Sequence, residues 1–134
     1  MEWWRPSKPG EIRATPWLHP EVILFLESIL RPNWTVIEHG SGGSTLWLAT
    51  RVKQVVAYEA DIDWAAQVSS YGLKNVKVCN KASLELREGS ASLLLIDGEP
   101  VEERAEWLKA ASTIVRPGGW VMLDNCNRPE YEAE

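Results

Sequence analysis

The chain has 134 residues, of which 45% are hydrophobic and 25% charged, and its net charge is −5. That length fits a single domain, residues 1–134, with a full core, and the composition is that of a globular protein. The acidic balance and the lack of a Lys/Arg cluster argue against a nucleic-acid partner, and no apolar run approaches the ~20 residues that span a bilayer.

Residues 1–18 carry Pro6, Pro9, Gly10 and Pro16 and read as an irregular arm. Trp3, Trp4 and Trp17 lie in this arm and are expected to pack as a lid or an edge of the core. Met1 and the residues after it lead into Pro and Gly rather than an apolar run, so no signal peptide is expected and the chain reads as cytoplasmic. The two cysteines, Cys79 and Cys126, have no metal-type spacing and read as reduced thiols.

His19 and Pro20 start a first helix, in which Val22, Ile23, Leu26, Ile29 and Leu30 recur at helical spacing. Pro32 and Asn33 end it. A first strand follows over residues 35–38, then the glycine-rich turn His39-Gly40-Ser41-Gly42-Gly43, then a helix over 44–51 with Leu46, Ala49 and Val52 on one face. Residues 54–58 form a short second strand ending at Glu59. Asp63 is placed to cap a helix over 64–71, which Gly72 stops. A third strand covers 75–79, and 80–89 is a loop. Residues 92–96 (Ser-Leu-Leu-Leu-Ile) read as a central parallel strand covered on both faces and end at Asp97. Pro100 opens a helix to about 115, with Val101, Ala105, Leu108, Ala111, Ile114 and Val115 inward. Arg116-Pro117-Gly118-Gly119 reads as a tight turn, 120–123 as a fifth strand, and 126–134 as a polar tail.

Strands separated by helical segments predict an α/β fold, a Rossmann-like doubly wound parallel sheet of about five strands with helices on both faces. The unusual polar residues fall at strand ends. Glu38, Glu59, Asp97, and Asp124 with Asn125 each follow a strand. In open parallel sheets ligands sit outside those carboxyl ends, near the point where strand order reverses. The strand, glycine turn and helix around Gly40 form a cradle for a nucleotide-like ligand, because glycines admit close backbone approach and the helix start offers unpaired N–H groups.

Glu59 follows Gly40 at close to the offset of about 20 residues from which an acid reaches ribose hydroxyls. A carboxylate suits a vicinal diol, which donates two hydrogen bonds. The plainer reading of Glu59 is a surface acid after an edge strand. A dinucleotide fingerprint would have glycine where this chain has Thr45, and Glu38 is awkward beside a pyrophosphate. A ligand with an amino group or a positive centre fits better, and S-adenosylmethionine (SAM) has both.

Glu38-His39-Gly40-Ser41-Gly42, Glu59, Ile96-Asp97-Gly98 and Arg116-Pro117-Gly118-Gly119 together resemble the ordered motifs of class I SAM-dependent methyltransferases, over roughly residues 17–125. Residues 38–49 resemble a bacterial and phage subgroup of small methyltransferases. The resemblance implies that Glu38 orients the methionine amino group, that Gly40, Ser41, Gly42 and Ser44 admit the methionine part, and that Glu59 binds ribose with Ala60 beside the adenine. The segment with Ala82 would border the adenine, although the acid often found there is absent. Asp97 would line the pocket beside the sulfonium and the acceptor, as the catalytic residue.

A second resemblance, to the cation-dependent O-methyltransferases of the catechol type, implies a metal triad of Asp97, Asp124 and Asn125 for Mg²⁺. The chain departs from that family at Pro100, where those enzymes have a lysine base. Asp124 capping the adjacent loop is the competing reading. His39 is read either as a base facing the acceptor or as a packing residue.

The sheet of this family usually has two further strands after the fifth, for which this sequence has no counterpart; it reads as a fragment, as a minimal form whose fifth-strand edge is covered by a partner or by the Trp-rich arm, or as a SAM-binding domain without transfer. If the chain is whole, the exposed edge of the fifth strand predicts a homodimer. The reading is a SAM-dependent methyltransferase acting on O or N of a small-molecule acceptor. A truncated SAM-binding module without turnover is the first alternative and a nicotinamide-dependent dehydrogenase the second.

Overall fold

The computed structural model describes residues 14, 16, 18–80, 89–97 and 101–123. Trp3, Trp4 and Trp17 of the arm, the Ala82 segment, Gly98 to Pro100, and Asp124, Asn125 and Cys126 lie outside the described residues. The elements are α1 (Pro20–Ile29), β1 (Thr35–His39), α2 (Gly43–Ala49), β2 (Gln54–Tyr58), α3 (Ile62–Ser69), β3 (Val76–Cys79), β4 (Ala91–Ile96), a 3₁₀ turn (Val101–Glu103), α4 (Arg104–Ile114) and β5 (Val115–Leu123). They build a five-stranded parallel sheet in the order β3-β2-β1-β4-β5. The predicted α/β fold is therefore the observed one.

The order has a functional consequence. The chain runs outward from β1 through β2 to β3, then returns to place β4 on the other side of β1. The strand order reverses between β1 and β4, which is where a doubly wound sheet opens a crevice.

Strand alternation divides the core into two layers. Val36, Val55, Leu93 and Leu95 face α1 and α2, packing with Leu26, Trp47 and Leu48. Ile37, Leu94 and Ile96 face α4, packing with Trp107, Ala111 and Ile114. β4 is buried along its whole length, as its near-continuous apolar run predicts. α3 closes onto α2 through Val68 and Leu46. Among the described residues no helix is long and apolar enough to cross a membrane.

Three local expectations need correction. Asp61, not Asp63, caps α3, accepting the N–H groups of Asp63 and Trp64. The two acids compete for one cap, and the strand end at Tyr58 leaves Asp61 the extended backbone that a cap requires. α4 begins at Arg104 rather than Pro100 and is rotated from the predicted face: Trp107 is buried, whereas Leu108 and Ala105 are exposed. Trp107 offers more apolar area than Leu108, and it wins the core position. β5 begins at Val115 rather than Trp120. Arg116-Pro117-Gly118-Gly119, expected as a turn before the strand, is instead an excursion within β5: Ala91 pairs with Val115 and Leu93 with Trp120, so Ser92 alone faces the excursion.

Ser92 ties that excursion down. Its hydroxyl accepts from Arg116 Nε at 3.3 Å and from the Thr35 N–H at 3.4 Å. Gly119 is required by space. A Cβ there would lie 2.5 Å from Val115 Cγ1 and 2.8 Å from the Ser92 carbonyl oxygen. Gly118 has φ +81° with open space around it. Gly119→Ala is therefore expected to destabilise by about 2–3 kcal/mol and Gly118→Ala by only about 1 kcal/mol, measured by urea unfolding. Equal losses for the two variants would contradict this account of the turn.

Candidate functional site

The site grows from the carboxyl end of β1. Backbone alternation turns Glu38 towards α2 and His39 towards α4. Glu38 is 1% exposed. Its Oε2 accepts from the Ser44 hydroxyl at 2.6 Å, and its Oε1, also buried, has no hydrogen-bond partner among the described residues. A buried carboxylate with an unmatched oxygen is costly, and such groups concentrate at functional sites. Burial pushes the Glu38 carboxyl up to about 7. The Ser44 and Thr45 hydroxyls pull it back in part, and the nearby Glu59 charge adds a smaller push upward.

The glycine turn then leaves β1 beside β2. The Gly40 N–H donates to the Tyr58 carbonyl at 2.8 Å. Gly40 and Gly42 have φ of 105° and 150°, values that side-chain-bearing residues rarely adopt. Thr45, where a dinucleotide fingerprint would have glycine, closes the turn: its hydroxyl oxygen accepts the Gly42 N–H at 3.0 Å. Ser44 and Thr45 are both buried.

Glu59 joins this turn to the end of β2. Its Oε1 accepts from the Ser41 N–H at 3.0 Å and from the Ser41 hydroxyl at 2.8 Å. Its Oε2 accepts from the Asp61 N–H at 3.1 Å. Glu59 is 7% exposed, so the surface-acid reading does not hold. Ala60 is exposed beside it, and Asn80, from the end of β3, donates to the Glu59 and Ala60 carbonyls at 2.8 and 3.3 Å.

Trp64 supplies a contact that the sequence reading missed. Its indole N–H donates to the Ser41 carbonyl at 2.7 Å. Its ring lies 3.3 Å from the position a Gly42 Cβ would take, so the glycine turn is packed under an aromatic roof. The signal available in sequence was the Asp61 cap, which fixes Trp64 at the third position of the first turn of α3.

On the opposite face, His39 is 3% exposed and packs on Trp107, with ring centroids 5.0 Å apart. Its Nε2 lies 3.4 Å from Glu103 Oε2. This is the packing role rather than an open position. Asp97 ends β4, half-buried, with its N–H donating to the His39 carbonyl at 3.0 Å. The structure thus brings Glu38, Gly40, Ser41, Gly42, Ser44, Glu59 and Ala60 into one cradle and sets Asp97 at the adjoining strand end. Ala82, Asp124 and Asn125 lie outside the described residues. Among the described residues no group of three or more His, Cys, Asp or Glu side chains could hold a metal ion.

No protein-family model and no curated protein sequence matches the chain. Solved structures do. The chain is similar to a tRNA methyltransferase of Aquifex aeolicus, with a TM-score of 0.67 and 21% identity over 90% of this chain and 52% of that one. It is similar to a phosphoethanolamine N-methyltransferase of Haemonchus contortus, solved with phosphoethanolamine and S-adenosylhomocysteine, with a TM-score of 0.67 and 21% identity over 78% of this chain and 25% of that one. A methyltransferase-like protein of Bacillus halodurans gives 0.65 and 22% over 85% and 54%. The chain therefore has the class I methyltransferase fold. It spans between a quarter and about half of the length of these three proteins.

The Glu38 environment predicts a pH dependence of stability. Its folded value of about 7 lies above the ordinary value of 4.5. Between those values the unfolded chain loses a proton that the folded protein keeps. The contribution is therefore full below about pH 4.5, falls by about 3 kcal/mol as pH rises to 7, and is flat above that. Glu38→Gln is expected to remove this slope, measured as the difference between variant and wild-type urea unfolding from pH 5 to pH 8. A difference profile that does not change with pH would contradict the assignment.

Proposed function

We propose that the protein is a SAM-dependent methyltransferase acting on an O or N of a small-molecule acceptor. The observation that carries this reading is the buried, unmatched Oε1 of Glu38 at the point where strand order reverses. A cationic donor fits that oxygen, because it would satisfy the hydrogen bond and the charge together. A pyrophosphate would do neither, which disfavours the nicotinamide-dependent alternative.

In this reading Glu38 holds the amino group of the cofactor, and Gly40, Ser41, Gly42 and Ser44 admit its methionine part. Glu59 binds the ribose, and Ala60 and the Ala82 segment border the adenine. When bound, SAM supplies an activated methyl group on a sulfonium. Asp97 lines the pocket on the acceptor side, where orienting the acceptor for in-line attack supplies the main rate effect. The acceptor is proposed to be a small molecule because the net charge is −5 and no basic cluster offers a phosphate-backbone footprint. The compartment proposed is the cytoplasm. A Mg²⁺ ion on Asp97, Asp124 and Asn125 remains part of the proposal as a cation that would lower the acceptor pKa.

Calorimetric titration with SAM, S-adenosylhomocysteine and NAD, with and without Mg²⁺, tests the reading. SAM and S-adenosylhomocysteine are expected to bind and NAD not to bind. Glu38→Ala is expected to weaken SAM binding by about tenfold or more, the scale of one charge-assisted hydrogen bond. NAD binding without SAM binding would overturn the assignment. Transfer of labelled methyl to RNA but not to a small-molecule pool would overturn the acceptor class. Binding without turnover on either would favour the SAM-binding module. If Mg²⁺ changes neither binding nor turnover, the metal triad fails.

A further inference from the structure

Glu59 is the acid proposed for the ribose, yet its carboxylate is already engaged. A carboxylate offers about four acceptor positions, two on each oxygen. Both positions on Oε1 are taken by Ser41, one by its N–H at 3.0 Å and one by its hydroxyl at 2.8 Å. Among the described residues Oε2 holds only the Asp61 N–H, at 3.1 Å, which leaves one position. A vicinal diol that donates one hydrogen bond to each oxygen therefore needs a place now held by Ser41.

The two Ser41 contacts differ in how easily they yield. The backbone of Ser41 is held from both sides, its N–H by Glu59 and its carbonyl by the Trp64 indole at 2.7 Å. The turn that follows lies under the Trp64 ring, 3.3 Å from the Gly42 Cβ position. Moving the backbone would break several contacts at once. The hydroxyl needs only a rotation about one side-chain bond, which takes it from one staggered position to another.

We propose that the Ser41 side chain is a displaceable latch on Glu59, its hydroxyl occupying the carboxylate position that the ribose diol of the cofactor requires. The latch keeps Glu59 oriented before binding and sets the affinity, because each binding event exchanges one hydrogen bond to Glu59 for another. This inference rests on the ribose role proposed for Glu59. The Ser41 N–H and the Asp61 N–H hold the carboxylate in place in either state, so removing the hydroxyl removes the competitor and leaves the receptor.

The test compares wild type, Ser41→Ala and Glu59→Gln by calorimetry with S-adenosylhomocysteine and with its 2′,3′-dideoxy analogue. Ser41→Ala is expected to bind S-adenosylhomocysteine about three- to tenfold more tightly, the scale of one net hydrogen bond. The dideoxy analogue is expected to gain nothing from the substitution, because it has no diol to compete. Glu59→Gln is expected to weaken the ligand with the diol more than the dideoxy analogue. A serine that merely supports the loop would instead weaken both ligands on substitution. If Ser41→Ala does not fold, Ser41→Cys, close in size but a weak donor, takes its place. No gain for S-adenosylhomocysteine, or an equal gain for both ligands, overturns the latch alone. Absence of wild-type binding to S-adenosylhomocysteine overturns the cofactor reading and the latch with it.

Discussion

The arrangement depends on one almost wholly buried carboxylate, Glu38. Glu38 is the penultimate residue of β1, the central strand of the sheet, flanked by β2 and β4, and its Oε1 has no partner among the described residues. A folding optimum alone would place an apolar residue or a fully bonded polar one there. The nearby chain is built around this carboxylate. Ser44 comes from the start of α2 to bond it, and Thr45 holds the turn that brings Ser44 into reach. Glu59, Asp61 and Trp64 then fix the same turn from the side of β2 and α3.

The two faces of the sheet carry different kinds of polar residue. Towards α2 lies the cradle, with an oxygen unmatched among the described residues and two glycines at positive φ. Towards α4 lies His39, packed on Trp107 beside Glu103. Asp97 joins the two, because its N–H is bonded to the carbonyl of His39 at the β1/β4 boundary. Acceptor selection generally rests on variable loops, and one fold hosts many chemistries. The cradle therefore carries the cofactor proposal, and the acceptor proposal stands on charge alone.

Much of this was legible in the amino-acid order, for physical reasons that can be named. The apolar run of β4 announces a strand buried on both faces, and it is buried throughout. The turn around Gly40 announces close backbone approach, and Gly40 and Gly42 have the positive φ that requires glycine. What was not legible depends on competition between neighbours. Asp61 and Asp63 both suit a helix cap, and tertiary placement chose Asp61. Trp107 and Leu108 both suit a core position, and packing against His39 and Tyr58 chose Trp107. The excursion at Arg116 to Gly119 reads locally as a turn, and only pairing with β4 reveals it as part of β5. The roof that Trp64 makes over the turn is likewise a tertiary contact, across 23 positions of chain.

The central claim is that Glu38 receives the amino group of the cofactor, and proton counting tests it most directly. Near pH 7 a carboxyl pushed up to about 7 is about half protonated, and a bound ammonium would drive that proton off. Calorimetric titration with S-adenosylhomocysteine at pH 7, repeated in buffers of different ionisation enthalpy, reads this as a heat that scales with the buffer. The account predicts net proton release on binding, and none for 5′-methylthioadenosine, which lacks the amino acid part. Binding of both ligands with the same proton count would contradict it.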